Sequence, residues 1–353
     1  MRPRRLAPFL PVLAALALPL AAGPSGTLVV LNKSDASAWL VDPESGARLA
    51  SVPTGEGPHE ADVTPDGRLA VVTNYGGKTP GSTLTLIDLA AGTAAGTIDL
   101  GEHRRPHGVQ LLPDGKRAVV TAEASQALLV VDLAERKVVA AIPTGEKVSH
   151  MVALSPDGKT AFVSSIGSGT VTAIDLGRGE KTRSVKTGEG AEGIAVTPDG
   201  KEVWVGNRAS DTLTVLDAAT LEAKRTISCA QFPIRLELSP DGATLLASNA
   251  RSGDVAVFDT KAGTERRRVK MPMAAATTEG RLFADRFGKS PVPIGLLVPP
   301  AGKVAFVANS NADAVVVFDL ESGAILRTLP AGAEPDGLAW TPLKPVAGAG
   351  ETR

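Results

Sequence analysis

The sequence predicts an all-β fold, a seven-bladed β-propeller with four-stranded blades. Three observations carry this. A turn tripeptide recurs at Pro65-Asp66-Gly67, Pro113-Asp114-Gly115, Pro156-Asp157-Gly158, Pro198-Asp199-Gly200 and Pro240-Asp241-Gly242, with a degenerate copy at Pro300-Ala301-Gly302. Seven aspartates, Asp42, Asp88, Asp132, Asp175, Asp217, Asp259 and Asp319, close apolar runs at intervals of 46, 44, 43, 42, 42 and 60 residues. The chain also starts and stops in mid-unit. A period in the low forties with several short strands per unit is the mark of a propeller.

Each Pro-Asp-Gly reads as a hairpin tip, because Pro presets φ and Gly accepts the positive φ that closes the turn. Strand A precedes the tip and strand B follows it. A polar loop then leads to strand C, which ends in Asp, and strand D completes the unit. In the fifth unit these strands fall at 193–197, 202–206, 212–216 and 224–227. The runs are nearly continuously apolar because neighbouring blades cover both faces. The chain opens with B and C strands at 27–31 and 37–41 and ends with a lone A strand at 337–341. Pairing the last strand with the first closes the ring and removes open sheet edges.

Residues 1–22 read as a secretory signal. Arg2, Arg4 and Arg5 precede an apolar stretch that closes on Ala21, Ala22 and Gly23. Pro8, Pro11 and Pro19, with the short length, oppose a bilayer span. The propeller is expected over 24–344 and a flexible tail over 345–353. The expected location is outside the cytoplasm, periplasmic or secreted to the cell surface, as a monomer with no membrane span once the signal is removed. Cys229 is the single cysteine, so no internal disulfide forms and it reads as a small buried residue. Losing the three leader arginines takes the formal net charge from −1 to −4, and aromatics are 3%. Both argue against a grip on nucleic acid by bulk charge or stacking.

Val72-Thr73-Asn74 and Val307-Ala308-Asn309, each followed by a run ending in Asp, resemble the YVTN-type propeller repeat. The resemblance covers nearly all of the mature chain. It implies seven blades and an exported or cell-surface protein, and that family includes DNA-binding members. The segment from Pro58-His59 to Asn74-Tyr75-Gly76-Gly77 also resembles the related lactonase-type propellers. No unit ends in Trp-Asp, and Trp39, Trp204 and Trp340 do not repeat blade by blade, so WD40 and quinone-dehydrogenase propellers are not indicated.

One repeat position marks a candidate site. It stands at the entry to strand A, where side chains face the channel mouth or the innermost packing layer. Around the ring it reads His59, His107, His150, Glu192, Ile234, Ile294 and Asp336. Ring closure puts Asp336 beside His59, which gives a polar arc of five and an apolar pair. Tyr75 stands in a longer loop beside His59, Glu123 replaces a turn Asn near His107, and Arg235 comes from the opposite side with Arg208 and Arg251. The histidines can hold a divalent metal, with His59, His107 and His150 as candidates, or act as acid and base. The bland use is to tie loops together. The asparagines Asn32, Asn74, Asn207, Asn249 and Asn309 read as turn caps bonding their own backbone. The long sixth interval places an excursion at 271–289, read as a lid over the mouth.

Three functions remain open on these residues. One is binding of a small polar or anionic ligand, or a protein partner, at the mouth without catalysis. Another is a lactonase-like hydrolase, with or without metal. DNA binding follows only from the family analogy. Gly188-Glu189-Gly190-Ala191-Glu192-Gly193 matches a dinucleotide fingerprint, but it leads into a strand and offers no helix N-terminus.

Overall fold

The computed structural model describes residues 25–273 and 281–346. The secretory signal expected at 1–22 lies outside the described residues, as does most of the expected tail. Within that tail Val346 donates its backbone N–H to Ala90 O at 2.9 Å. Among the described residues no helix is long and apolar enough to cross a membrane.

Seven antiparallel four-stranded sheets form the ring. Blade 1 joins the termini: strand A is Pro335–Thr341, followed by Thr27–Asn32, Ser37–Val41 and Arg48–Pro53. Thr27 faces Thr341, Leu28 faces Trp340 and Val30 faces Leu338, as the mid-unit ends require. Strand A of the next six blades is Pro58–Val63, Pro106–Leu111, Ser149–Leu154, Ala191–Val196, Pro233–Leu238 and Pro293–Leu297.

Two repeated residues set the period for physical reasons. The Asp closing strand C caps the next turn: Asp88 Oδ1 accepts the Ala90 and Ala91 N–H groups at 3.0 and 2.9 Å, and Asp217 does the same for Ala219 and Thr220. The tip Gly has a second duty besides its positive φ. A Cβ on Gly158 would stand 2.5 Å from Pro113, and one on Gly242 would stand 2.7 Å from Pro198. Each tip therefore leans on the tip of the preceding blade.

The core is a series of interblade layers. Val29, Leu40, Val72 and Ile87 join blades 1 and 2, and Trp204, Leu213, Leu245 and Phe258 join blades 5 and 6. The asparagines do not act as expected. They lie at or near the ends of the B strands, and four of them reach across to neighbouring elements instead of capping their own turn. Asn32 Oδ1 accepts from Gly332 N at 2.9 Å, and Asn74 Oδ1 from Gly55 N at 3.1 Å, so each ties a B strand to the loop arriving from the previous blade. Cys229 is buried, and burial pushes its thiol up to about 12.

Candidate functional site

Strand A begins with an irregularity in every blade. The register shifts between Pro58 and Ala61, between Pro106 and Val109, and at the matching place in the other five. A bulge turns consecutive side chains off the alternating faces. That frees the repeat position at 59, 107, 150, 192, 234, 294 and 336 to look toward the mouth. Its carbonyl does the structural work. Thr73 Oγ1 donates to His107 O at 2.8 Å, Thr121 Oγ1 to His150 O at 2.5 Å, Ser248 Oγ to Ile294 O at 2.7 Å, and Ser164 Oγ to Glu192 O. The backbone therefore stitches these blades, and the side chains are left free to differ.

The residue after each repeat position explains how the channel fills. In blades 1, 3, 5 and 7 it is Gly337, Gly108, Gly193 or Gly295, where a Cβ would press within 3 Å of the neighbouring A strand. In blades 2, 4 and 6 it is Glu60, Met151 and Arg235. Arg235 reaches across the channel, bonding Glu60 through Nε at 2.8 Å and Glu192 at 3.0 Å. It borders the cavities on both sides of this bolt.

On one side the cavity is about 150 Å³. The structure brings His59, His107, His150, Glu192, Asp336, Tyr75 and Arg235 to it, with Ile234, Ile294, Phe283 and Phe287 opposite. Phe287 sits in a short helix, Ala284–Phe287, and packs against Phe232 at 5.0 Å between ring centroids. The second half of the excursion thus overhangs the mouth, while 274–280 lies outside the described residues.

The three imidazoles lie in a row, His59 edge-on to His107 and His107 tilted against His150. Ring centroids are 4.1 Å apart for His59 and His107 and 3.5 Å for His107 and His150. His59 lies on Tyr75 at 5.0 Å, with Nδ1 3.5 Å from Asp336. Asp336 also binds Lys33 Nζ at 3.2 Å. His107 is wholly buried, and among the described residues neither ring nitrogen has a hydrogen-bond partner. His150 is held by Glu123 at Nδ1 and by Glu192 at Nε2, the latter at 3.1 Å. Tyr75 donates to the other Glu123 oxygen at 2.8 Å. Of the candidate metal ligands His59, His107 and His150, the last two lie together with Glu123, and His59 is not in that group among the described residues.

Burial pushes His59 and His107 well below the usual imidazole value, helped by nearby positive groups. Burial also works against charge on His150, but Glu192 and Glu123 outweigh it and raise its pKa. Burial opposes ionisation of Glu192, yet His150, Arg208 and Arg235 hold it at about 2. Burial and then Glu123 push Tyr75 up to about 12.

Sequence reasoning missed Lys33, Glu60, Phe232 and Arg286. Arg208, Arg251 and Arg286 gather over the Phe232 ring at 5.2, 5.1 and 4.7 Å. Arg208 is bonded to Glu192. Arg251 and Arg286 have no carboxylate in ion-pair reach among the described residues.

A second cavity, of about 390 Å³, lies on the other side of the bolt and is lined by Asp62, Gln110 and Glu237. Burial raises Asp62 to about 6 and Glu237 to about 8, against backbone hydrogen bonds from Leu111 and Val298. Below the ordinary value of 4.5 Glu237 is protonated folded or unfolded. Between 4.5 and about 8 only the unfolded chain ionises, so stability falls across that window. Glu237→Gln keeps the acceptor for Val298 N. It is expected to leave stability unchanged at pH 4 and to raise it by about 2 kcal/mol at pH 8.5, discounted for partial exposure. Urea melts at the two pH values check this, and equal effects at both would refute it.

The cytochrome D1 heme domain family matches residues 114–265, which is less than half of the chain. No curated protein matches the sequence. Among solved structures, hydrazine synthase of Kuenenia stuttgartiensis is similar at 21% identity and a TM-score of 0.66, over 81% of this chain and 90% of that one. A functionally unknown protein from Desulfotomaculum acetoxidans DSM 771 is similar at 16% identity and a TM-score of 0.74, over 91% of this chain and all (100%) of that one. Both likenesses concern the fold alone. The residues present do not fit a haem at this mouth. The cavity is about 150 Å³, below the roughly 300–1,000 Å³ of ordinary ligand pockets.

Proposed function

We propose that the channel mouth binds a small anionic ligand without performing chemistry on it, in a protein exported under the leader at 1–22. The Val-Thr-Asn and Val-Ala-Asn repeats support a place among the YVTN-type propellers. The observation that carries the binding reading is the charge of the mouth. Lys33, Arg208, Arg235 and Arg286 line it against Asp336 and Glu192. With Glu60 answering Arg235, and Glu123 answering a charged His150, one positive charge is left over among the described residues. Among those residues Arg286 is the lining cation with no carboxylate in ion-pair reach. Burial and then the repulsion of Arg208 lower its pKa, so a carboxylate or phosphate there relieves a standing like-charge contact. The apolar half formed by Ile234, Ile294 and Phe283 suits a ligand with a hydrocarbon body.

The lactonase-like alternative draws on one observation, the grouping of His107, Glu123 and His150. Against it, both His150 nitrogens are already engaged, so His150 is not free to act as the base. Calorimetry and thermal shift with inorganic phosphate, sulfate and short mono- and dicarboxylates test the binding reading. At least one anion is expected to bind, with Arg286→Ala weakening it about tenfold and uncharged amide analogues inert. Absence of any response, or full affinity in Arg286→Ala, would overturn it.

A further inference from the structure

We infer that His107, Glu123 and His150 form a site for one divalent first-row transition ion. The inference deepens the anion reading, because the ion would border the same cavity, but it rests on different atoms. One donor atom from each residue lies within 4.8 Å of the other two. Ligands around an ion at about 2.0–2.2 Å stand roughly 3.3 Å apart, so small side-chain rotations close the set.

His107 is 0% exposed, and among the described residues both of its ring nitrogens lack a hydrogen-bond partner. Buried polar atoms are ordinarily satisfied, and one that is not calls for an unseen partner. Among the described residues no protein atom fills the role.

Glu123 and His150 also meet in a way that calls for a cation between them. His150 Nε2 meets Glu192 Oε1 at 3.1 Å, which assigns the Nε2 proton to that bond. Nδ1 then turns a lone pair toward Glu123 Oε1, close enough for direct contact. Two acceptors facing each other require a cation between them. A proton fills the gap when His150 is an imidazolium. A metal ion fills it by displacing that proton to solvent and bonding both atoms, with His107 as the third ligand.

The outer layer is already built. Tyr75 donates to the second Glu123 oxygen at 2.8 Å, and Glu192 orients His150 while Arg208 and Arg235 hold Glu192. Such partners fix ligand orientation in metal sites. Two imidazoles and a carboxylate suit Zn²⁺, Co²⁺ or Fe²⁺ and not Ca²⁺ or Mg²⁺. The remaining coordination position is left for water or the anion.

The test uses the whole protein, stripped with EDTA and returned to chelator-free buffer, then titrated with ZnCl₂ and CoCl₂. One ion per chain is expected, with proton release and visible Co²⁺ ligand-field bands. His107→Ala and Glu123→Gln should weaken binding at least 100-fold. Tyr75→Phe removes the hydroxyl that bonds Glu123 and should weaken it about 10- to 100-fold, which keeps the test decisive where His107→Ala does not fold. A wild type that takes up neither ion, or variants that bind as the wild type does, would overturn the inference and leave the proton alone between Glu123 and His150. Metal uptake without any anion response sinks the anion reading only. Anion response without metal uptake sinks this inference only.

Discussion

Replacing Arg235 with Met is expected to cost the fold about 3–5 kcal/mol, the penalty for stripping a buried ion pair of one partner. Arg235 is 5% exposed and faces two carboxylates, Glu60 and Glu192. Burial alone would lower its pKa, and the two carboxylates raise it instead. Glu192 keeps His150 and Arg208 when Arg235 is lost. Glu60 keeps no cation among the described residues, and burial already lifts its pKa. Most of the penalty should therefore trace to Glu60. Glu60→Gln added to Arg235→Met is expected to recover more than half of the lost stability, because it removes the stranded charge and keeps the volume. Chemical denaturation of the four proteins in this cycle measures both effects. A single Arg235→Met variant that unfolds at the wild-type midpoint would show that the bolt across the channel is not part of what holds the ring.

The parts of this molecule that were legible from its residues are those in which one residue type does one local job in every blade. Asp88 and Asp217 cap turns with their own carboxylates, and Gly158 and Gly242 need both positive φ and the absence of a Cβ. Such demands are local, so they recur at the repeat period and give away the blade count. The mouth position was legible for the same reason, though its cause lies elsewhere. Its backbone carbonyl is what the neighbouring blade grips, through Thr73, Thr121, Ser164 and Ser248. What escaped were features that no period imposes. A bulge at the start of strand A leaves no compositional trace, and without it Glu60 reads as alternating away from the channel. Lys33 occurs at the mouth in one blade only. Arg286 belongs to an excursion that has no counterpart in the other units. The asparagines were misread because an Asn at a strand end serves a local cap and a cross-blade tie equally well on sequence alone. Asn32 and Gly332 stand at opposite ends of the chain and meet only once the ring closes.

That closure supports the largest effect. Deleting the residues after Pro335 removes the inner strand of blade 1 and is expected to abolish cooperative folding, a loss on the scale of the whole stability of a domain, about 5–15 kcal/mol. Thr27–Asn32 would become a bare edge, although Leu28, Val29, Val30 and Leu31 are all 0% exposed in the closed ring. The deletion also takes away Thr341 Oγ1, which donates to Gly67 O at 2.6 Å, and Leu343 O, which accepts from Thr27 at 2.7 Å. These contacts join blade 1 to blade 2 and to the start of the chain, so the damage is not confined to one sheet. An open edge of continuous apolar residues is also a template for aggregation. The expected observation is insoluble protein, or soluble protein with no sharp thermal transition. A chain ending at Val346 serves as the control and should melt like the full chain, since it retains the closing strand and the Val346 bond to Ala90. A peptide spanning 332–346 added to the shortened protein should restore a transition, because Thr341, Trp340 and Leu338 have defined partners in Thr27, Leu28 and Val30. Should the shortened protein melt with the same midpoint and sharpness as the intact one, the two ends of the chain would not share a blade in solution.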